Sequence, residues 1–209
     1  ETNALPGMTF CEAGTCVPLC EPGFADIKHP APPAPDDGCE SAAPPPPKMV
    51  FISKAVVTVS ALAAMGGIAG ADALCNQYAH AAGAPPMVSF KAWISDTTHS
   101  AASRLTHSPG EYRTPDGALV AANWSALVSG TLANSISVNE DGLELALGEA
   151  WTGTDEFGNS AALNCGNWVS LTTRLGIVGD GTLTGPEWTL VPGGTSCLRD
   201  DVHLYCIEQ

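Results

Sequence analysis

Eight cysteines in 209 residues, at positions 11, 16, 20, 39, 75, 165, 197 and 206, constrain this chain more than any other feature. Paired thiols persist in oxidising compartments, and a chain that also carries 22 glycines and 17 prolines is loop-rich and leans on crosslinks as well as on burial. The expected location is therefore secreted or on the extracellular surface. Glu1 opens the chain with no basic or apolar leader after it, which fits a signal peptide already removed. Cysteine is not the first residue, so an N-terminal lipid anchor is not expected on this form. The length suits one core of about 150 residues plus an appendage.

Composition places the division between the two. Residues 1–40 hold Cys11, Cys16, Cys20 and Cys39 and little that could form a core, so this Cys-rich module is expected to be stabilised by crosslinks. Residues 41–48 read as a Pro-rich linker, and the stretch from Pro30 to Pro47 is expected to be extended and stiff, largely polyproline II. From residue 49 to 209 apolar segments alternate with turns, and no internal repeat is present.

Charge narrows the partners. With 22 acidic against 8 basic residues the net charge is −14, and the Lys and Arg residues are scattered singly. Nucleic acid, heparin-like polyanions and anionic membrane surfaces, which need clustered cations, are excluded as expected ligands. Met49 to Gly70 is apolar enough to suggest a membrane span, but Lys54 would lie within the bilayer, and the β-branched first half and Gly66, Gly67 and Gly70 disfavour a helix. No transmembrane span is expected.

The coarse element pattern is mixed α+β. Met49 to Val59 reads as a strand running into a glycine-rich turn. Ala71 to Ala82 reads as a helix, with Ala71, Leu74, Cys75, Tyr78 and Ala82 on one stripe and Asp72, Asn76, Gln77 and His80 on the other, so that Cys75 faces the core. Phe90 to Ile94 is a short strand. Asn123 to Gly130 is a short helix with an Asn N-cap and a Gly stop, a blander use of Asn123-Trp-Ser125 than glycosylation. Asp116-Gly117 and Asp141-Gly142 mark turns, and Leu143 to Leu147, Glu187 to Val191 and His203 to Ile207 are the remaining candidate strands.

Catalytic and metal motifs are not found. There is no Gly-x-Ser-x-Gly elbow, and Cys16 and Cys20 are spaced too far apart for a Cys-x-x-Cys redox pair. His29, His80, His99, His107 and His203 show no paired zinc-ligand spacing and read as surface or packing residues. Asp155, Glu156 and Asn159, or Asp180, could offer oxygen ligands to calcium, but polar turns account for both groups. No cofactor, no metal and no enzymatic activity are expected.

Six blocks in one order carry a resemblance. Gly70-Ala-Asp72-Ala-Leu-Cys75 with the following Ala-rich helix, Phe90-Lys-Ala-Trp-Ile-Ser95, Asn123-Trp-Ser-Ala-Leu-Val-Ser-Gly130, Trp151-Thr-Gly-Thr-Asp-Glu-Phe-Gly-Asn159, Asn164-Cys-Gly-Asn-Trp168, and Ser196-Cys197 through Leu204-Tyr-Cys206-Ile-Glu208 are similar to successive segments of the endostatin domain of collagens. Leptospiral endostatin-like outer-membrane proteins and their bacterial kin share several of these blocks. The resemblance implies a C-type-lectin-like α+β domain over residues 49–209 with nested disulfides, Cys75 to Cys206 and Cys165 to Cys197. That would leave Cys11, Cys16, Cys20 and Cys39 to pair among themselves in one of three ways. The run from Cys11 to Asp26, closed by Asp37-Gly-Cys39-Glu40, resembles a short Cys-rich repeat of myxobacteria-type surface proteins. Ile27 stands where that repeat usually has a further Cys, so its pairing is not carried over. The lectin relatives' calcium-dependent sugar motifs are missing, since Pro186-Glu187-Trp188 and Asn167-Trp168 have the wrong order.

The resemblance places Trp93, Trp124, Trp151 and Trp168 in the core and leaves Trp188 least constrained. The polar loop from Thr97 to Pro115 and the segment Gly176 to Glu187 lie where such a fold presents variable loops. His99, Arg104, His107, Tyr112, Arg113, Asp180 and Trp188 are accordingly the candidate binding-surface residues. The expected function is recognition or adhesion, binding an extracellular protein or glycan. The competing expectation is a structural subunit of an extracellular filament or sheath, with the N-terminal arm contacting a neighbouring copy.

Overall fold

The computed structural model describes residues 45–146, 148–170 and 174–209 in full, and the backbone of four strands among the first 44. Two compact units divide the chain, Glu1–Pro45 and Pro46–Gln209. In the first, β1 (Ala4–Glu12) pairs antiparallel with β2 (Thr15–Cys20), and β3 (Phe24–Ala25) with β4 (Glu40–Ser41). The pairing of the four N-terminal cysteines, and most of the Pro30 to Pro47 stretch expected to be polyproline II, lie outside the described residues; within that stretch Glu40–Ser41 is strand and residues 45–47 are exposed and irregular.

The second unit is mixed α+β and is built on a five-stranded sheet. β5 (Lys48–Ile52), β6 (Phe90–Ala92), β7 (Tyr112–Arg113), β8 (Leu119–Ala121) and β13 (Tyr205–Glu208) lie in the order β6-β13-β5-β7-β8. β13 is antiparallel to both neighbours, and β5 runs parallel to β7. Both faces of the sheet are covered, which is why Val50-Phe51-Ile52 and Tyr205-Cys206-Ile207 are apolar without a break. Alternate residues feed two cores. Phe51, Ala92 and Cys206 pack under the helices with Trp151 and Trp168, while Val50, Ile52, Tyr205 and Ile207 pack with Trp93 and Trp188.

The first strand is shorter than the sequence suggests. It ends at Ile52; the chain then loops, and Thr58 accepts from Ala61 N to cap helix α1 (Val59–Ala64). Val56 and Val57 supply β-branched composition but no ladder; Val57 instead donates to Val202 O and accepts from Trp151 Nε1. Gly66 and Gly67, at φ 85° and 71°, separate α1 from α2 (Ile68–Ala81). Gly67 also leaves room for the neighbouring chain, since a Cβ there would sit 2.8 Å from Asn167 O. The Met49 to Gly70 stretch is thus a strand, a loop and parts of two helices, and no helix among the described residues is long and apolar enough to cross a membrane.

Two more expected strands take other forms. In the expected strand from Leu143 to Leu147, whose last residue lies outside the described ones, the described residues make one antiparallel bridge, Glu144 to Val138, flanked by Asn139 N to Leu143 O and Leu145 N to Ser137 O, and the Asn139 side chain collects Asp141 N and Leu143 N into a tight turn. Glu187 to Val191 begins as a 3-10 turn, Pro186–Trp188, because Pro186 fits its first position and the Trp188 ring turns inward. The short helices α3 (Ala101–Arg104), α4 (Trp124–Leu127) and α5 (Cys165–Trp168) close loops, α4 being capped by Asn123 as its sequence indicates. β9 (Glu149–Trp151) pairs with β11 (Val178–Asp180), and β10 (Leu175–Gly176) with β12 (Thr195–Ser196).

Gly179 lets that 3-10 turn approach β11. A Cβ on it would lie 2.0 Å from Trp188 O and 2.7 Å from Thr189 Cα, both backbone atoms that cannot swing aside. Gly179→Ala is expected to cost about 3 kcal/mol or more in a urea titration, whereas Ala at half-buried Gly185, where a Cβ would meet only the flexible end of the Glu187 side chain, is expected to cost under about 1 kcal/mol.

Two disulfides lock the unit. Cys75–Cys206 joins α2 to β13 across a sequence separation of 131, and Cys165–Cys197 spans 32 residues inside it. The pairing implied by the resemblance is the pairing found.

Candidate functional site

α2 supplies one wall of a surface cleft, and its polar stripe does not simply face water. Phe90 and Ala92 on β6 turn their peptide groups away from β13, and side chains meet them. Asn76 Oδ1 accepts from Phe90 N at 2.8 Å, Asn76 Nδ2 donates to Phe90 O at 2.7 Å, and Asp72 Oδ1 accepts from Ala92 N at 2.9 Å. Arg104, at the end of α3, donates from Nη1 to Ala92 O and Ile94 O, and its Nη2 alone meets both carboxylate oxygens of Asp72 at 2.5 and 2.7 Å. One helical turn separates Asp72 from Asn76, so the pair reaches along the strand and stands in for a missing neighbour. Arg104 is aimed by a reciprocal cap in which Ser100 and Ser103 bond each other's backbone N–H, and by Ala101 N donating to Ser95 Oγ.

The cleft opens beside this ion pair. Its volume is about 480 Å³; Gly66, Ile68, Ala69 and Val169 form an apolar lip, and Asp96, His99 and Asn167 line the polar side above Asp72 and Arg104. Asp96 Oδ1 accepts from Thr98 N, Thr98 Oγ1 and His99 N at 2.7, 2.8 and 2.7 Å. Burial alone would raise this carboxyl, but those hydrogen bonds together, helped by nearby His99, hold it below the ordinary aspartate range. A depressed folded value means that the stability Asp96 adds is present above the unfolded range, about pH 4, and is lost as the pH falls through the folded value. Amide exchange at Thr98 and His99 is therefore expected to stay protected from neutral pH down to about pH 4 and to lose that protection under stronger acid, ahead of β13 amides.

The opposite wall is a turn of unusual backbone. Cys165, Gly166, Asn167 and Trp168 all have left-handed φ, at 51°, 61°, 61° and 63°, which is costly for the three that are not glycine. Three attachments hold it. Cys165 is bonded to Cys197, Trp168 Nε1 donates to Ser95 O at 2.8 Å from a fully buried ring, and Asn167 Oδ1 accepts from Thr97 N and Thr97 Oγ1. Asn167 is thereby tied to the loop that carries Asp96.

Of the candidate surface residues, His99 and Arg104 come together in this cleft; the rest do not join them. His99 is exposed there, whereas the Arg104 side chain lines the cleft at only 10% exposure, with Nη1 bonded to two carbonyls and Nη2 to Asp72, so that it chiefly positions the wall. Tyr112 and Trp188 are corrections, both fully buried. Tyr112 accepts from Ser108 N and donates to Thr106 O, and Trp188 packs at tilted angles against Trp93 and Tyr205. Their bulk fills the second core, which the period of a loop sequence cannot reveal. His107 lies flat on Trp124 at 4.0 Å, Arg113 bonds Glu111 and Gly117 O, and Asp180 bonds Thr182 beside a separate hollow with Glu149, Arg199 and Asp201. Asp72, Asp96 and Asn167 were not singled out by sequence reasoning. The signals were present in Asp96-Thr-Thr98, a pattern that favours a side-chain-capped turn, and in Gly166-Asn167, a pair tolerant of left-handed backbone.

Among the described residues no three His, Cys, Asp or Glu side chains converge to hold a metal ion. Residues 58–184 match the model of a family described as a protein of unknown function (DUF1554), a span that includes every cleft residue and both α2 and the left-handed turn. No curated protein matches the chain.

Proposed function

We propose that this chain, which belongs to the DUF1554 family, is a secreted or cell-surface recognition protein that binds an extracellular protein or glycan without catalysis. One observation carries the reading: the cleft beside α2 is open and lined by both apolar and polar side chains, and its polar residues are held in place by the Asp72–Arg104 ion pair, by the Asp96 turn and by the Cys165–Cys197 bridge. A pre-organised concave surface avoids the ordering cost of binding and suits recognition. The disulfides support an extracellular setting, and their nested order supports an endostatin-like, C-type-lectin-like fold for the larger unit.

The test is an array of glycans and extracellular-matrix proteins probed with the oxidised chain at micromolar concentration. Binding that is lost in Asp96→Asn and kept in a variant altered at Asp180 is expected. A blank array, or binding indifferent to Asp96, overturns the assignment of recognition to this cleft.

A further inference from the structure

We infer that the cleft takes a lysine or arginine side chain from a basic partner protein, the aliphatic stem lying on Ile68 and Val169 and the charged head on Asp96. This rests on the recognition reading and narrows it to one ligand chemistry. The lining selects the sign of the charge. Arg104 would be the natural anchor for an anion, but its guanidinium is already bonded to Asp72, Ala92 O and Ile94 O. Asp96 is in the opposite condition. Oδ1 accepts three hydrogen bonds, while no donor among the described residues reaches Oδ2, and its side chain is 15% exposed at the cleft. A carboxylate of a cleft-lining residue, kept ionised and with one oxygen met by no donor among the described residues, is an acceptor for an ammonium or guanidinium group.

The apolar lip settles the rest of the ligand. Val169 is 52% exposed, Ile68 is half-buried and Gly66 offers no side chain, so a surface free of hydrogen-bonding side chains leads toward the Asp96 carboxylate. Long cationic side chains have this division, a stem that packs on apolar surface and a head that does not. A sugar would leave the lip in contact with hydroxyls. The wider surface agrees in sign, because Lys54, Arg113 and Arg199 each pair with a carboxylate of the same chain while the net charge remains −14. Such a field attracts basic partners and repels acidic ones.

The experiment is NMR titration of the full oxidised chain with Nα-acetyl-lysine methylamide, and with the norleucine analogue, which keeps the stem and lacks the ammonium. The lysine probe is expected to shift the amides of Thr98, His99 and Asn167 at millimolar concentration, and the norleucine probe to bind about tenfold more weakly, as a charged hydrogen bond requires. Asp96→Asn should weaken the lysine probe by about tenfold, and about 1 M salt, with a screening length near 3 Å, should do likewise. Val169→Ala, which leaves the Asp96 turn intact, should weaken both probes equally and keeps the test decisive if the Asp96 variant fails to fold. Equal binding of the two probes, insensitivity to salt, or shifts confined to other surfaces would overturn the inference. An array hit with no lysine binding refutes only this narrowing; lysine binding with a blank array refutes only the broader reading.

Discussion

Alanine at both Cys75 and Cys206 is expected to lower the unfolding free energy by roughly 4 to 5 kcal/mol, a large share of the about 5 to 15 kcal/mol that a domain has. The bridge closes a loop of 131 residues, and the entropy removed from the unfolded chain grows with that length. Its position adds to the effect. Cys75 and Cys206 are both fully buried, one on the inward face of α2 and the other on β13 between β5 and β6, so each truncation also leaves space in the first core. The inner bridge, Cys165–Cys197, closes 32 residues and is expected to contribute roughly 3 to 4 kcal/mol, but to act locally. Denaturant titration of the two double variants should rank them in this order. Amide exchange should then show loosening throughout the sheet for the outer pair and chiefly around Asn167 and Thr97 for the inner pair. The reverse ranking would mean that α2 is held to the sheet by packing alone.

The second large effect concerns Arg104. Arg104→Ala is expected to destabilise the chain by about 3 to 5 kcal/mol, because it leaves a partly buried Asp72 carboxylate without its counter-charge and strips Ala92 O and Ile94 O of a donor. Asp72→Ala should cost a similar amount, since Ala92 N loses its acceptor as well. The two changes together should cost clearly less than their sum, the mark of groups acting as a unit, and a double-mutant cycle reads that coupling directly. An additive cycle would refute the pairing. Either single variant exposes the outer edge of β6, so its folded fraction is also expected to self-associate more readily than the parent in light scattering.

Much of the scaffold was legible in the residues. The 3.6-residue period put Ala71 and Cys75 on the inward face of α2, although Ala79 is buried there and Ala82 is an exposed C-cap; Asn123 and Gly130 bracketed α4, and the positive φ of Gly117 and Gly142 follows from the two Asp-Gly turns. The disulfide pairing did not come from period or spacing; the family resemblance implied it. Val56 and Val57 misled because β-branched composition describes what a strand tolerates, and only a partner's hydrogen bonds make one. Trp188 misled for a related reason, as an aromatic in a Pro- and Gly-rich loop gives no hint of a core that other segments assemble around it. The cleft was least visible of all. Asp72 sat on the stripe a helical wheel assigns to water, and its true partners, Ala92 and Arg104, are 20 and 32 residues away.

The order of strands in the sheet sets a timetable. β13 lies between strands drawn from residues 48–52 and 90–92, and is itself residues 205–208. During synthesis the two outer partners wait with a gap one strand wide, unable to pair with each other, until more than a hundred further residues have emerged. Closure is therefore a single late event dominated by distant contacts, a topology that folds slowly. Until the centre arrives, the apolar faces of β5 and β6 are exposed together, and that interval is when a chaperone would find this protein.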